Sequence, residues 1–182
     1  MQALLDILIR FYEEIKPFQS VSPWEAGLRV RLGKHVKVVE PGVHLKLPLI
    51  DSYHLLNVVP RVVNLPHQSL ETSDKKTLAV SAALAYSVSD IEKCLVEVDD
   101  HDESLINLAM GLIAYYISNH QGSDCSHDAI QAGVLPSLRE IAEDWGLEVS
   151  HLYVTDLCQH KAYRLLHDSN PSKSPTLSLA MS

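Results

Sequence analysis

The stretch 78–88 alternates more cleanly than any other part of the chain, and it demands a long strand that the remaining elements must cover. Leu78, Val80, Ala82, Leu84, Tyr86 and Val88 face one way, while Ala79, Ser81, Ala83, Ala85 and Ser87 face the other. A sustained period of two is the mark of a strand with two unlike faces. The small-residue face predicts close packing by another element, such as a helix.

The same period runs upstream across 26–88. Leu28, Val30 and Leu32 alternate with Arg29 and Arg31, 36–39 follows Gly33, and Pro41-Gly42 marks a turn. Pro48 and Pro60 divide the valine- and leucine-rich segment 43–65 into short edges. Beyond Asp90 the period becomes helical. Leu105, Leu108, Ala109, Leu112, Ile113, Tyr116 and Ile117 form an apolar stripe, with acidic residues at its start where the helix dipole favours them. A second helix is predicted from about Asp128 to Trp145, interrupted or kinked near Gly133 and Pro136 and stopped by Gly146. A last strand covers 147–157, and its apolar phase shifts between Val149 and Leu152, which predicts a bulge or burial on both faces. Strands, then helices, then a closing strand define an α+β domain.

Two apolar segments fall outside that core pattern. In the first sixteen residues, Leu4, Leu5, Leu8, Phe11 and Ile15 recur at helical spacing, with Gln2, Asp6, Arg10, Glu13 and Glu14 largely opposite, and Pro17 ends the helix. The run is shorter than the roughly 20 apolar residues of a spanning helix. It lacks the basic start and small-residue cleavage site of a signal peptide. Such a helix lies either in a membrane interface, apolar face down, or against protein. The second segment is a connection: Leu47, Leu49 and Ile50 surround Pro48 where a polar loop is expected. A loop that apolar is either tucked beneath the sheet or inserted into something outside the domain.

Charge and chemistry narrow the function classes. The formal net charge of -8 opposes nucleic-acid binding, which requires a basic footprint. Residues 1–65 carry 8 Lys/Arg against 6 Asp/Glu, whereas 66–182 carry 7 against 17. The acidic part repels anionic headgroups, and the first part can approach them. Cys94, Cys125 and Cys158 contain no CxxC and read as reduced thiols in a cytoplasmic setting. The C-x-H spacings at Cys125–His127 and Cys158–His160 lack the tight pairing of structural zinc ligands. No nucleophile elbow, phosphate loop or H-E-x-x-H motif occurs, and the 10 histidines are scattered. His101-Asp102-Glu103 reads as a capping and solvation feature at a helix start. No catalytic, cofactor-binding or metal-ligating residue is assigned.

An ordered set of motifs resembles the SPFH (band 7) family of stomatin, prohibitin and flotillin type. The run LRVRLGKHVKVVEPGVHLKLPLIDSYHLLNVVPRVVNLP resembles the family opening: a strand ending in R-L-G, a proline-glycine turn, then P-x-I-D. ETSDKKTLAVSAALAYSV resembles its T-x-D turn and long alternating strand, Ser89-Asp90-Ile91-Glu92 its short following helix, and Asp144 to Val149 its W-G approach to the final strand. The resemblance covers roughly residues 21–160.

It implies a non-enzymatic, membrane-associated scaffold on the cytoplasmic face, which oligomerises and organises or modulates membrane proteins such as a protease or channel. The implied partners are the membrane lipid surface and itself or other SPFH proteins, with no nucleic acid and no cofactor. The implied membrane contacts are Leu4, Leu5, Leu8, Phe11, Ile15 and Phe18, with Leu47, Pro48, Leu49 and Ile50 in the loop. The expected organisation is a membrane-associating helix over 1–20, the SPFH domain over 21–166, and a disordered Ser/Pro-rich tail over 167–182. Two departures from the family pattern stand out. The N-terminal helix is short, and the chain stops soon after Leu166 instead of continuing into a long charged helix. That second departure motivates an alternative: a soluble partner-binding regulator or decoy subunit of a larger SPFH complex or membrane protease.

Overall fold

The structure, a computed structural model, describes residues 17–48 and 50–160. The expected helix through Leu4, Leu5, Leu8, Phe11 and Ile15, the loop residue Leu49 and the expected tail lie outside the described residues. Strands β1 (Phe18–Val21), β2 (Glu25–Arg31), β3 (His35–Val39), β4 (Gly42–Leu45) and β5 (Asp51–Asn57) come first. β6 (Arg61–Glu71) and β7 (Thr77–Val88) follow, then helices α1 (Ile91–Val96), α2 (His101–Asn119) and α3 (His127–Asp144), and finally β8 (Leu147–His160). Three antiparallel sheets result, in the orders β1-β4, β3-β2-β5 and β6-β7-β8. The α+β class is the one expected.

β7 is the central strand of the largest sheet, and its large-residue face carries the core. Leu78, Val80, Leu84 and Tyr86 are buried in one cluster with Leu105, Ala109, Ile113 and Ile117 of α2 and with Ile130, Val134, Leu138 and Ala142 of α3. The helices therefore cover the large-residue face, not the small-residue face at Ala79, Ser81, Ala83 and Ala85. Bulky side chains bring more apolar area out of water per residue, so they choose the side on which helices dock.

The helix starts are conventionally capped. Asp90 accepts the backbone N–H groups of Glu92 and Lys93, and Asp100 those of Asp102 and Glu103. Capping of α2 thus falls to Asp100. His101 instead turns inward beside the Arg61 guanidinium, which lies 5.0 Å over the Tyr86 ring and 3.1 Å from Asp102. Burial, and then the Arg61 charge, push the His101 pKa down.

α3 runs through Gly133 and Pro136 as one helix, so the expected interruption does not occur. Pro136 and Ala132 are both exposed, so the carbonyl deprived of its helical partner can be served by water. Gly133 makes room for a neighbour: a Cβ there would lie 2.1 Å from the Tyr116 ring. The helix ends at Gly146, whose φ of +72 is the left-handed stop that favours glycine. Its carbonyl then accepts Ser89 N, Asp90 N and Ser89 Oγ, which ties α3 to the end of β7. β8 pairs with β7 along its length, and its register shifts twice: where His151 faces Ala85 and Val149 faces Tyr86, and where Asp156 faces Ser81 and Val154 faces Ala82. Thr155 and Ser150 are therefore bulged, Ser150 inside the window where the apolar phase changes. The Ser150 hydroxyl donates to the Ala85 carbonyl at 3.0 Å.

Candidate functional site

Six exposed large apolar side chains lie on the β1–β4 ribbon and the turns beside it; others, among them Trp24, Val36 and Val38, lie elsewhere. Phe18 and Leu45 are cross-strand partners, as are Ser20 and Val43. Phe18, Leu45 and Val43 point outward, 62%, 58% and 72% exposed. Val21 lies on the other side of the ribbon and is buried. Val21 packs over Gly27 of β2 at ordinary contact distance, whereas the glycine itself makes room for Leu55 of β5, which a Cβ there would meet at 2.9 Å. Lys46 N donates to the Pro17 carbonyl at 2.7 Å, and Tyr53 Oη to the Leu45 carbonyl at 3.1 Å, fixing the ribbon's end.

The chain then turns back towards β5 around one buried carboxylate. Asp51 accepts Arg31 Nε at 2.7 Å and Arg31 Nη2 at 3.1 Å, and also the Leu47 N–H at 3.1 Å. Its side chain is 0% exposed, whereas that of Arg31 is 39% exposed. The Arg31 hydrogen bonds hold the Asp51 pKa at about 2, against burial that would raise it; the Leu47 amide and the charges of Arg31 and Arg29 add to the lowering. The Leu47 carbonyl accepts Ile50 N at 3.2 Å and Asp51 N at 3.0 Å. Pinned from below in this way, the turn presents Leu47 and Ile50 outward, each 40% exposed, with Pro48 half-buried. The loop is held out, not tucked beneath the sheet.

A third element joins it. The Ile50 carbonyl accepts Leu32 N at 2.9 Å, so the β2–β3 turn abuts the loop. Leu32 has φ 52 and is 67% exposed. A left-handed conformation costs an L-residue about 1–2 kcal/mol. A leucine there is both strained and displayed to solvent, a combination that stability alone does not favour.

Of the residues assigned from sequence, Phe18, Leu47, Pro48 and Ile50 belong to this strip. Leu4, Leu5, Leu8, Phe11, Ile15 and Leu49 lie outside the described residues. Phe18, Gln19 and Ser20, expected within the N-terminal helical segment, belong to strand β1, because β4 offers them backbone partners. Leu32, Val43 and Leu45 went unassigned. Val43 and Leu45 fell in the valine- and leucine-rich run read as short edges, and only pairing with β1 shows that their side faces outward. Elsewhere, a groove between α3 and the start of β8 contains Arg139. That guanidinium is spent on the Val149 and Ser150 carbonyls at 2.8 and 2.5 Å.

Residues 19–164 match the description of the SPFH domain / Band 7 family. The chain belongs to this family. Three relatives illustrate its range. An uncharacterised protein of Methanocaldococcus jannaschii is 26% identical over 82% of this chain and 76% of its own length. A putative band 7 family protein of Acanthamoeba polyphaga mimivirus is 24% identical over 78% of this chain and 47% of its own. Stomatin-1 of Caenorhabditis elegans is 30% identical over 75% of this chain and 42% of its own. The chain thus spans less than half of the viral and nematode relatives. Band 7 membership and the stomatin relatives support a scaffold type of role with membrane association. Among the described residues no helix is long and apolar enough to cross a membrane.

Proposed function

We propose that this Band 7 protein is a peripheral membrane scaffold that oligomerises and organises or modulates membrane proteins from the cytoplasmic face. One observation carries the reading: Phe18, Val43, Leu45, Leu47, Ile50 and Leu32 form a displayed apolar strip braced by the buried Arg31–Asp51 pair. A rigid, outward apolar edge rimmed by polar groups is suited to shallow insertion between headgroups. Leu4, Leu5, Leu8, Phe11 and Ile15 supply the second apolar contact in this proposal, with Pro48 and Leu49 completing the loop. Two weak contacts acting together anchor far better than either alone. Self-association, or association with other SPFH proteins, then concentrates such anchors and any bound protease or channel on one patch of bilayer.

Vesicle flotation of the full chain tests the membrane step. The expected result is co-flotation, weakened when residues 1–16 are removed and weakened separately when Leu47 and Ile50 are replaced by serine. A full chain that stays at the bottom of the gradient, yet captures a soluble partner, supports the regulator reading instead.

A further inference from the structure

We infer that the membrane surface this strip meets is an anionic one, recognised by Lys34, Lys37 and Lys46; the inference rests on the membrane reading proposed above. Lys34 follows Leu32 and Gly33 in the β2–β3 turn, and Lys46 sits between Leu45 and Leu47. Both lysines are therefore chain neighbours of the displayed apolar residues. Lys46 is half-buried, which suits a stem lying along apolar surface with its ammonium directed outward.

Lys37 stands directly across from Arg29 in the β2–β3 register. Like charges in facing positions of an antiparallel pair are destabilising. Among the described residues neither has a carboxylate partner, and Arg29 Nε is buried without any hydrogen-bond partner. Nearby acids relieve this only in part. Asp51 feels the Arg29 charge but spends its hydrogen bonds on Arg31 and the Leu47 amide, Glu25 accepts the Ser22 N–H, and Glu40 lies at the far end of β3 from the turn. The excess positive charge left at Arg29 and Lys37 suits a counter-charge supplied from outside.

The whole-chain pattern points the same way. Residues 17–57 carry 5 Lys/Arg against 3 Asp/Glu, while 58–160 carry 5 against 16. The domain is thus polarised, because its acidic residues are gathered in the part that does not carry the apolar strip. Near an anionic leaflet such a charge distribution turns the strip towards the lipid and the acidic body away. An anionic phospholipid headgroup layer fits both halves of this surface at once. A zwitterionic layer leaves the lysines without counter-charge.

The test is co-sedimentation of the full chain with two vesicle types, phosphatidylcholine alone and phosphatidylcholine with about a third phosphatidylglycerol. The triple variant Lys34→Gln, Lys37→Gln, Lys46→Gln is compared with Lys93→Gln on the acidic body. Each cation near an anionic surface strengthens binding roughly five-fold, so the triple variant loses on the order of 100-fold on anionic vesicles. Its binding to neutral vesicles stays unchanged, and Lys93→Gln leaves both unchanged. Raising salt from about 0.1 to about 1 M shortens the screening length from about 10 to about 3 Å and removes the same increment. Equal binding of the wild type to both vesicle types overturns this inference and leaves the membrane reading standing. So does a triple variant that retains the anionic preference. Binding to neither vesicle type overturns the membrane reading itself, and this inference with it.

Discussion

Replacement of Leu32 by asparagine separates the folding role of the β2–β3 turn from its proposed role at the membrane. Leu32 has φ 52 and is 67% exposed. The left-handed conformation costs a leucine about 1–2 kcal/mol, and asparagine recovers roughly half of that through local hydrogen bonding. The domain should gain about 0.5–1 kcal/mol, which for this length is a rise in Tm of about 1–4 °C. Full burial of a leucine side chain is worth about 1.5–3 kcal/mol. Two thirds of it remains available to lipid, so vesicle binding should weaken by about 1–2 kcal/mol, or roughly 5- to 30-fold. Calorimetry of the free protein and co-sedimentation with vesicles read the two effects independently. A higher Tm with unchanged vesicle binding removes Leu32 from the membrane surface. A lower Tm refutes the strain argument.

The cross-strand pair Phe18 and Leu45, changed together to serine, should reduce vesicle binding by roughly 30-fold or more while near-ultraviolet circular dichroism of the core stays unchanged; preserved binding excludes the ribbon. Acid should loosen the loop anchor. The Asp51 pKa lies below its unfolded value, so its contribution is fully present above about pH 4 and is lost as pH falls towards about 2. Asp74 follows the same sign, since Lys76, Thr72 and the Gly122 amide hold it well below the usual carboxylate range. Urea midpoints should therefore fall between about pH 4 and about pH 2, and Asp51→Asn should reduce that dependence. Gly146→Ala should destabilise by about 2 kcal/mol or more, because a Cβ would lie 2.3 Å from the Asp90 carbonyl oxygen at a φ of +72; a thermal melt within a degree of wild type contradicts the geometry.

Local pattern made several elements legible in the sequence. The alternation at 78–88, the stripe on α2, the phase shift at Ser150 and the stop at Gly146 each depend on neighbours a few residues away. What was not legible depends on distant partners. The helices could have covered either face of β7, and the choice follows from which face carries Leu84 and Tyr86. Pro136 reads as a breaker until its exposed position on α3 shows that water can serve the freed carbonyl. The apolar loop was visible as Leu47, Pro48 and Ile50, yet its display depends on Arg31, which sits 20 residues from Asp51. Val43 and Leu45 carried no distinguishing signal within the 43–65 run, because their outward direction is set by pairing with β1. Leu32 continued an alternation on paper, but β2 ends at Arg31 and leaves it in the turn.

The central claim is that the Leu47–Ile50 end of the domain faces lipid while the opposite end of the strands faces water. Nitroxide depth measurement on vesicle-bound protein tests it directly. Labels are placed at Leu47→Cys and Val62→Cys in a Cys158→Ser background, because Cys158 is the exposed one of the free thiols at 94, 125 and 158. Val62 is 63% exposed on β6, beyond the far end of β5 from the loop. On binding, the label at 47 should become accessible to oxygen and shielded from an aqueous nickel relaxant, while the label at 62 stays open to nickel. Equal nickel accessibility at both positions on bound protein contradicts the account.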